Sequence, residues 1–210
     1  MTAPTILGLD TAGPVIGAAL LSDAAQLWSA RVTRGADALL APALAELLAT
    51  VDRLDGVAVS VGPGAFTSLR VGVAAALGVA MARGCPVVPV SSLEARARGV
   101  EGERVLAMLD GRKGRAYVAL RVGEHIGPEA DLPPEQAVAL ADRPFVATGE
   151  GALVWRALVE QAGGVVAEGA GDSPALTVAR LGRARLPQAV APEAVRLNYI
   201  RSADARLPTR

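Results

Sequence analysis

Residues 59–72 read VSVGPGAFTSLRVG, and this stretch decides how the first half of the chain folds. An apolar run ends at the sequence Gly62-Pro63-Gly64, and an apolar helical pattern begins directly after it. A turn between a strand and a helix can bind an anion, because free backbone N–H groups and the positive helix end point to one place. The same glycines can also serve only to let the chain turn sharply.

The details favour the sharp turn over a phosphate-binding loop. A Walker loop carries Gly-Lys-Ser/Thr at the helix start, whereas the residues GAFTS contain no lysine. Thr67 stands where a dinucleotide-binding loop would have its third glycine, and Pro63 lacks an N–H donor. We therefore interpret Gly62 and Gly64 as glycines required for steric reasons and as weak candidates for cofactor binding.

The residues before this turn predict a meander and a helix. Three apolar runs, TILGLD, VIGAALLSD and AQLWSARVT, are separated by short turns and predict three antiparallel strands. Leucines at helical spacing then predict a helix within residues 36–54. Asp37 can cap the start of this helix, and Pro42 fits only in its first turn.

The residues around and after the turn complete a mixed sheet. GVAVSV predicts a strand, residues 66–83 a helix that ends before Gly84, and PVVPVSS another strand. Ser91 or Ser92 can cap a third helix, SLEARARG. Because strands separated by helices need parallel crossovers, the order β-β-β-α-β-α-β-α predicts the ribonuclease-H-like half of an actin-like α/β protein.

From residue 100 a similar pattern starts again. RVLAMLDGRKGRAYVALRV predicts a hairpin with DGRKG as its turn. PPEQAVALA and GALVWRALVEQAG predict helices around a strand PFVATG, and a further helix, SPALTVARLGRARL, is predicted with Ser173 as its cap and Pro174 first inside. We expect two similar lobes, residues 1–100 and 101–210, and the last ~15 residues could pack back on the first lobe.

The composition points to a cytoplasmic protein. Lys and Arg number 21, as do Asp and Glu, so there is no global field to attract nucleic acid or anionic lipid. One cysteine, Cys85, and one histidine, His125, exclude a disulfide framework within the chain and a His/Cys metal cluster. The N-terminus does not have the pattern of a signal peptide. The longest apolar run, residues 71–82, is shorter than the ~20 residues needed to cross a bilayer.

The helix predicted over residues 66–83 has almost no polar face, and such a helix must be covered on every side. One side can lie on the sheet, and the leucines of the preceding helix can cover another. Two interpretations remain open from the pattern: complete burial within one chain, or partial use of the helix surface as a protein–protein interface.

The sequence offers few catalytic groups. Actin-like ATPases place acids at strand ends to hold magnesium, and Asp10 has that position, with Glu150 and Asp110 as possible companions. One carboxylate makes a weak site, so we interpret Asp10 as a structural turn residue and Asp110 as a residue of the hairpin turn. His125 and Cys85 lack an evident partner for catalysis. We therefore predict no catalytic residue and no metal site.

Several segments, taken together, resemble a known family. ILGLDTAG, GPGAFTSLRVGVAAALGVA, PVVPVSSLEA, LDGRKGRAYVA and NYIRSADA occur in an order and spacing similar to those of the bacterial TsaB (YeaZ) family, over residues 5–206. The resemblance implies an actin-like (ASKHA) fold of two lobes and a role in forming N6-threonylcarbamoyladenosine at adenosine-37 of tRNAs that read ANN codons.

The resemblance also implies partners. TsaB-like proteins pair with a paralogous TsaD subunit, which holds the metal and performs the transfer, and a TsaE ATPase joins the pair. It implies a scaffold without cofactors of its own, which meets tRNA through its partners, and a four-helix bundle formed with TsaD or in a homodimer. The interface residues expected on the two apolar helices are Leu40, Leu44, Leu47, Leu48, Val51, Leu69, Arg70, Val73, Ala76, Leu77 and Ala80.

The chain departs from the family pattern at two places. Many relatives have a His-Ser pair after the third strand, where this chain reads TRGADALL, and many have Thr-Gly in place of Thr67-Ser68. The competing hypothesis is an active actin-like ATPase or phosphotransferase that uses Asp10 and Glu150 for magnesium and the Gly62–Gly64 turn for phosphate. A glycoprotease-like activity is suggested by shared fold alone, since no nucleophile–base pair is present.

Overall fold

A computed structural model describes residues 3–33 and 35–201 of the chain. The first half forms a mixed five-stranded sheet in the order β3-β2-β1-β4-β5. The antiparallel meander, the two parallel strands and the crossover helices all follow the predicted order. The elements are β1 Ile6–Asp10, β2 Val15–Leu21, β3 Ala25–Arg31, α1 Ala36–Leu48, β4 Gly56–Ser60, α2 Phe66–Arg83, β5 Val87–Val90 and α3 Ser92–Arg98.

The second half forms a sheet in the order β11-β10-β6-β7-β8, and β9 also pairs with β7. The predicted hairpin is present, with residues 111–115 as its turn. The elements are β6 Arg104–Asp110, β7 Ala116–Val122, β8 His125–Ile126, β9 Ala130–Leu132, α4 Pro134–Val138, β10 Phe145–Thr148, α5 Glu150–Val154, α6 Arg156–Gln161, β11 Gly164–Val166 and α7 Ala175–Ala184.

The helices lie in layers around the two sheets. Helices α1 and α2 cover one face of the first sheet, and α7 covers the other, in contact with β1, β2 and β4. Helix α3 packs on β6 and β7 of the second sheet and also touches α7, so α3 and α7 lie between the sheets. Helices α4, α5 and α6 pack on the outer face of the second sheet. This arrangement is the predicted actin-like one, and it buries α3 at the centre of the molecule.

Helix α1 differs from its prediction at both ends. It ends at Leu48, so Val51 and Leu54 follow it in a loop. Its N-cap is Gly35 with a φ of 71° and no side-chain cap, whereas Asp37 lies in the first turn. Pro42 lies in the second turn, where the missing N–H leaves the Ala38 carbonyl without its helical donor.

The other helix ends agree better with the sequence. Helix α2 spans the predicted residues and ends at Gly84, which adopts a left-handed conformation with a φ of 62°. The Ser91 hydroxyl caps α3 by accepting hydrogen bonds from the Leu93 and Glu94 N–H groups. The predicted cap of α7 is wrong: Pro174 is the N-cap residue, and the buried hydroxyl of Ser173 has no hydrogen-bond partner among the described residues.

The chain returns from the second lobe to the first before its end. Helix α7 lies on the first sheet, and residues 195–201 run along the seam between the sheets. The Asn198 N–H donates to the Val61 carbonyl (2.8 Å), and the Asn198 side-chain amide donates to Glu129 (2.6 Å). Arg201 binds Asp131 and the Gly111 carbonyl on the second lobe. Residues 202–210 of the segment predicted to pack back lie outside the described residues.

Candidate functional site

A cleft of about 1230 Å³ opens between the two lobes. The first lobe contributes the turn after β1 and the start of α2, and the second contributes the β6–β7 hairpin turn and α5. Residues 198–201 form a further part of its wall. Of the predicted candidates, Gly64 and Glu150 line this cleft, whereas Asp10 and Gly62 are buried and do not line it.

The Gly62–Gly64 turn is packed against backbone on two sides. Gly62 has a φ of 121°, and a Cβ atom there would lie 2.3 Å from the Asn198 carbonyl oxygen. A Cβ atom on Gly64 would lie 2.6 Å from the Ala12 carbonyl oxygen. The Gly62 carbonyl accepts a hydrogen bond from the Ser92 N–H (2.9 Å). Each glycine therefore has a steric reason for its presence, as the sequence predicted.

Asp10 and Glu150 meet at a third charged residue, Arg96, which the sequence pattern did not single out. Asp10 ends β1 and is 0% exposed, and Arg96 on α3 is 4% exposed. The Arg96 Nη1 and Nη2 atoms donate to the two Asp10 carboxylate oxygens, at 3.3 and 3.1 Å. The Arg96 Nε atom lies 4.0 Å from Oε2 of Glu150, the first residue of α5. Asp10 is thus held by an ion pair rather than by capping a turn.

The electrostatics favour the charged guanidinium. Burial disfavours the charged form of Arg96, but the charges of Asp10 and Glu150 outweigh it and raise the Arg96 pKa above its ordinary value. Burial raises the pKa of Glu150, and the charge of Arg96 opposes this shift only in part. The cluster is therefore a buried ion pair with a second, partly desolvated carboxylate beside it.

The remaining candidates show no catalytic constellation. Asp110 is the last residue of β6 rather than a residue of the turn itself, and its carboxylate accepts a hydrogen bond from the Arg112 N–H of the hairpin turn (2.8 Å). His125 is exposed on the short strand β8, not in the predicted loop. Burial raises the pKa of the Cys85 thiol, which suits a small core residue more than a nucleophile. Within residues 3–33 and 35–201, no three His, Cys, Asp or Glu side chains cluster as a metal site would require.

The start of α2 carries an aromatic and cationic cluster at the mouth of the cleft. The Phe66 and Tyr199 rings have centroids 5.2 Å apart. The Arg70 guanidinium lies 3.8 Å from the Phe66 ring centroid, and its Nε atom donates to the Tyr199 hydroxyl at 3.2 Å. Arg70, the exposed member of the predicted interface, thereby links α2 to the C-terminal segment.

The predicted interface residues divide by burial. Seven of them are buried by the chain's own core: Leu40, Leu44, Leu47, Leu69, Val73, Ala76 and Ala80. Leu48, Val51 and Leu77 are half-buried, and Arg70 is exposed. The buried seven cannot supply the contact atoms of a partner surface, because the core of the first lobe covers six of them and the core around α3 and the second sheet covers Leu69.

The outer face of α2 is nevertheless apolar and open. An exposed stripe at helical spacing contains Phe66, Arg70, Ala74, Gly78 and Met81, of which Met81 is 73% exposed. In the described part of the chain, α2 is the one helix long and apolar enough to cross a membrane by length and composition, and 28% of it is buried inside the chain. The helix thus extends beyond the uninterrupted apolar run of residues 71–82. Helix α2 packs on β4, β1 and β5, so its apolar character belongs partly to the lobe's core.

Comparison with known proteins gives the family. A family model described as "TsaD: tRNA N6-adenosine threonylcarbamoyltransferase" matches residues 27–145. An uncharacterised Mycobacterium tuberculosis protein is 37% identical over 155 residues, which cover 67% of this chain and 72% of that protein. The Escherichia coli tRNA threonylcarbamoyladenosine biosynthesis protein TsaB is 29% identical over 182 residues, or 78% of this chain and 79% of that protein. The structure of YeaZ from Pseudomonas aeruginosa matches with a TM-score of 0.77 at 28% identity, covering 93% of this chain and 99% of that one.

The chain belongs to the TsaB (YeaZ) family. A ROK family glucokinase from Streptomyces griseus shares the fold alone, with a TM-score of 0.50 at 11% identity, covering 86% of this chain and 99% of that one. This likeness agrees with the predicted actin-like fold.

Within this TsaB-family fold, Arg96 is the site residue that sequence reasoning missed. The segment SLEARAR alternates charged residues with alanine, and its Glu94 and Arg98 have the i, i+4 spacing that is typical of a solvated helix face. The available signal was Asp10: an acid at the end of an entirely apolar strand requires a nearby positive charge once it is buried.

Proposed function

We propose that the chain acts in threonylcarbamoyladenosine formation on tRNA as a non-catalytic subunit that pairs with a TsaD-like paralogue. Family membership supports the pathway, since three relatives carry the name tRNA threonylcarbamoyladenosine biosynthesis protein TsaB. The observation that carries the pairing is the open apolar stripe of α2. In this proposal, ATP and metal are bound by the partner subunits, which include a TsaE-like ATPase. The chain itself is cytoplasmic and meets tRNA only through those partners.

The partner surface consists of the exposed faces of α1 and α2, called here the α1–α2 face. On α1 the exposed apolar residues include Leu39, Ala41, Pro42 and Ala45. On α2, Ala74 and Gly78 lie one turn apart and present no bulky side chain, so a partner helix can approach closely. A stable interface of this kind buries on the order of 1,200–2,000 Å² in total. The same face can serve a homodimer.

The proposal that the chain has no catalytic activity of its own rests on Arg96. The two carboxylates that an ATPase of this fold would offer to magnesium face a guanidinium instead. The alternative, an active ATPase or phosphotransferase, gains support from the size of the cleft. Calorimetry of the isolated chain with Mg-ATP separates the two, because the scaffold role predicts no heat of binding, whereas tight binding would favour the ATPase.

A charge placed on the open stripe tests the pairing. Ala74 is exposed, so Ala74→Glu leaves the fold intact but puts an unpaired carboxylate into the proposed interface. A desolvated, unpaired charge weakens association by roughly 30-fold or more. The measurement is the dissociation constant for the TsaD-like paralogue, by calorimetry or analytical ultracentrifugation.

The matched control is Ala157→Glu, an identical change at an exposed position on α6 of the second lobe. We expect wild-type affinity for that variant and wild-type thermal stability for both. Equal affinities of the Ala74→Glu and wild-type chains would show that the partner binds elsewhere. Ala76→Glu and Leu44→Asp are unsuitable, because the two side chains are 0% and 5% exposed and their replacement would unfold the lobe.

A further inference from the structure

Three charged side chains from three different elements meet beneath the cleft: Asp10 of β1, Arg96 of α3 and Glu150 of α5. In the actin-like fold, acids in this place hold a divalent cation, which is why Asp10 and Glu150 are candidates for magnesium by sequence. The residues present do not fit that ion. Both oxygens of Asp10 accept hydrogen bonds from one guanidinium, and the positive charge of that group repels a divalent cation from the same buried carboxylate.

Arg96 is fixed in this position. Its Nη1 atom also donates to the Ser92 carbonyl one helical turn earlier, at 3.0 Å. The backbone at Gly13 closes the cluster, since a Cβ atom there would lie 3.2 Å from Nη2 of Arg96 and 3.1 Å from Oε2 of Glu150. Residues 92–97 of α3 are all buried, so the Arg96 side chain is enclosed by the fold.

The cluster contains fewer cationic than anionic groups. One guanidinium faces two carboxylates, and the Arg96 Nε atom, which is buried, has no hydrogen-bond partner within the described chain. The guanidinium is planar and permanently charged, contacts both oxygens of one carboxylate and approaches a second. Like a divalent cation, it offsets the repulsion between the two carboxylates and links the elements that carry them.

We infer that the Arg96 guanidinium is an internal counter-cation that replaces the divalent cation of the actin-like cleft and joins β1 of the first sheet to α5 of the second lobe. This link fixes the relative orientation of the two lobes without a bound metal or nucleotide. This role is independent of the proposed pairing, because the α1–α2 face lies on the opposite side of the first sheet from α3.

Removal of the guanidinium tests the inference, with Mn²⁺ as the probe. Arg96→Ala leaves two carboxylates facing a space, so we expect a melting temperature on the order of 10 °C below wild type. Added Mn²⁺ should raise the melting temperature of Arg96→Ala in proportion to the logarithm of its concentration. The wild-type chain should not respond to Mn²⁺.

The double variant Asp10→Asn/Arg96→Ala is the control. It removes both charges of the pair, so it should be more stable than Arg96→Ala and should lose the Mn²⁺ response. It also keeps the inference testable if Arg96→Ala fails to fold. A wild-type chain stabilised by Mn²⁺ through Asp10, an Arg96→Ala variant indifferent to Mn²⁺, or a double variant no more stable than Arg96→Ala would each overturn the inference.

Discussion

Glu94 shows how a buried charge on α3 contributes to stability. Its carboxylate accepts hydrogen bonds from Arg98 Nε at 2.8 Å and from Arg185 Nη1 at 2.9 Å. Burial alone would raise the Glu94 pKa, but the hydrogen bonds from Arg185 and Arg98 outweigh it, so the pKa lies below its ordinary value. A carboxyl whose pKa is lowered by folding stabilises the protein above its unfolded pKa, and this contribution is lost as the pH falls through the folded pKa.

Glu94→Gln therefore has a predictable pH dependence. At pH 7 we expect it to lower the free energy of unfolding by about 1.5–3 kcal/mol, because charge-assisted hydrogen bonds are lost. The difference from wild type should begin to shrink as the pH falls below the ordinary glutamate pKa of ~4.3, and it should vanish once the pH lies below the lowered folded pKa. Urea unfolding at a series of pH values measures both quantities.

Glu124→Gln serves as the control for that series. Glu124 also pairs with Arg98, but it is 95% exposed, so its removal should change stability by less than ~1 kcal/mol. Equal losses for the two variants, or a Glu94→Gln deficit that does not shrink at all below the ordinary glutamate pKa of ~4.3, would contradict the assignment.

The residues of the site could be predicted only in part. Asp10 and Glu150 were both recognised as acids near strand ends, and the structure brings both to Arg96. Arg96 itself could not be found, because whether a charged side chain on a short helix points to water or into the core depends on the layers packed around it. The alternation of charged residues with alanine in EARAR gives no sign that α3 lies between two sheets.

At the scale of the element, α2 has a glycine where a helix least favours one. Gly78 lies in the middle of α2 and is exposed, and a methyl group added to it would meet open space. Glycine in a helix interior destabilises the helix by about 1 kcal/mol relative to alanine. The stability of the isolated chain does not explain this residue, whereas the proposed close approach of a partner helix would.

Gly78→Ala separates those two effects. The isolated chain should become more stable by about 0.5–1 kcal/mol, which raises the melting temperature by roughly 1–4 °C. The same methyl group should weaken binding to the TsaD-like paralogue, because overpacking a tight contact costs about 1–3 kcal/mol. Differential scanning calorimetry measures the melting temperature, and a binding titration measures the affinity for the paralogue. Unchanged affinity together with raised stability would exclude close helix approach at Gly78.

The helices of the first lobe show where sequence patterns suffice and where they do not. Helix α2 was predicted to the residue because Gly84 marks its end and Ser91 marks the next start. Helix α1 was predicted too long, because Val51 and Leu54 continue the apolar spacing although the chain has already left the helix. They are apolar because they pack against the same core from the loop.

At the scale of the whole molecule, the first sheet was predictable and the second less so. Strands β1 to β5 are four to seven residues long and mostly apolar, which sequence patterns detect. Strands β8, β9 and β11 have two or three residues each, too few to show a period. The division of the chain at residue 100 stays a prediction, and the return of α7 to the first sheet follows no local signal, since it depends on tertiary packing.

The molecule as a whole has a buried ion pair between Arg96 and Asp10 beneath its cleft and outer helices that offer an apolar surface. The most direct test of this account is hydrogen exchange of the chain with and without its TsaD-like paralogue. We predict that the paralogue slows exchange in α1 and α2 and leaves α5 and α6 unchanged. Protection confined to α5 and α6, or no protection in α2 at saturating paralogue, would contradict the central claim that the α1–α2 face is the partner surface.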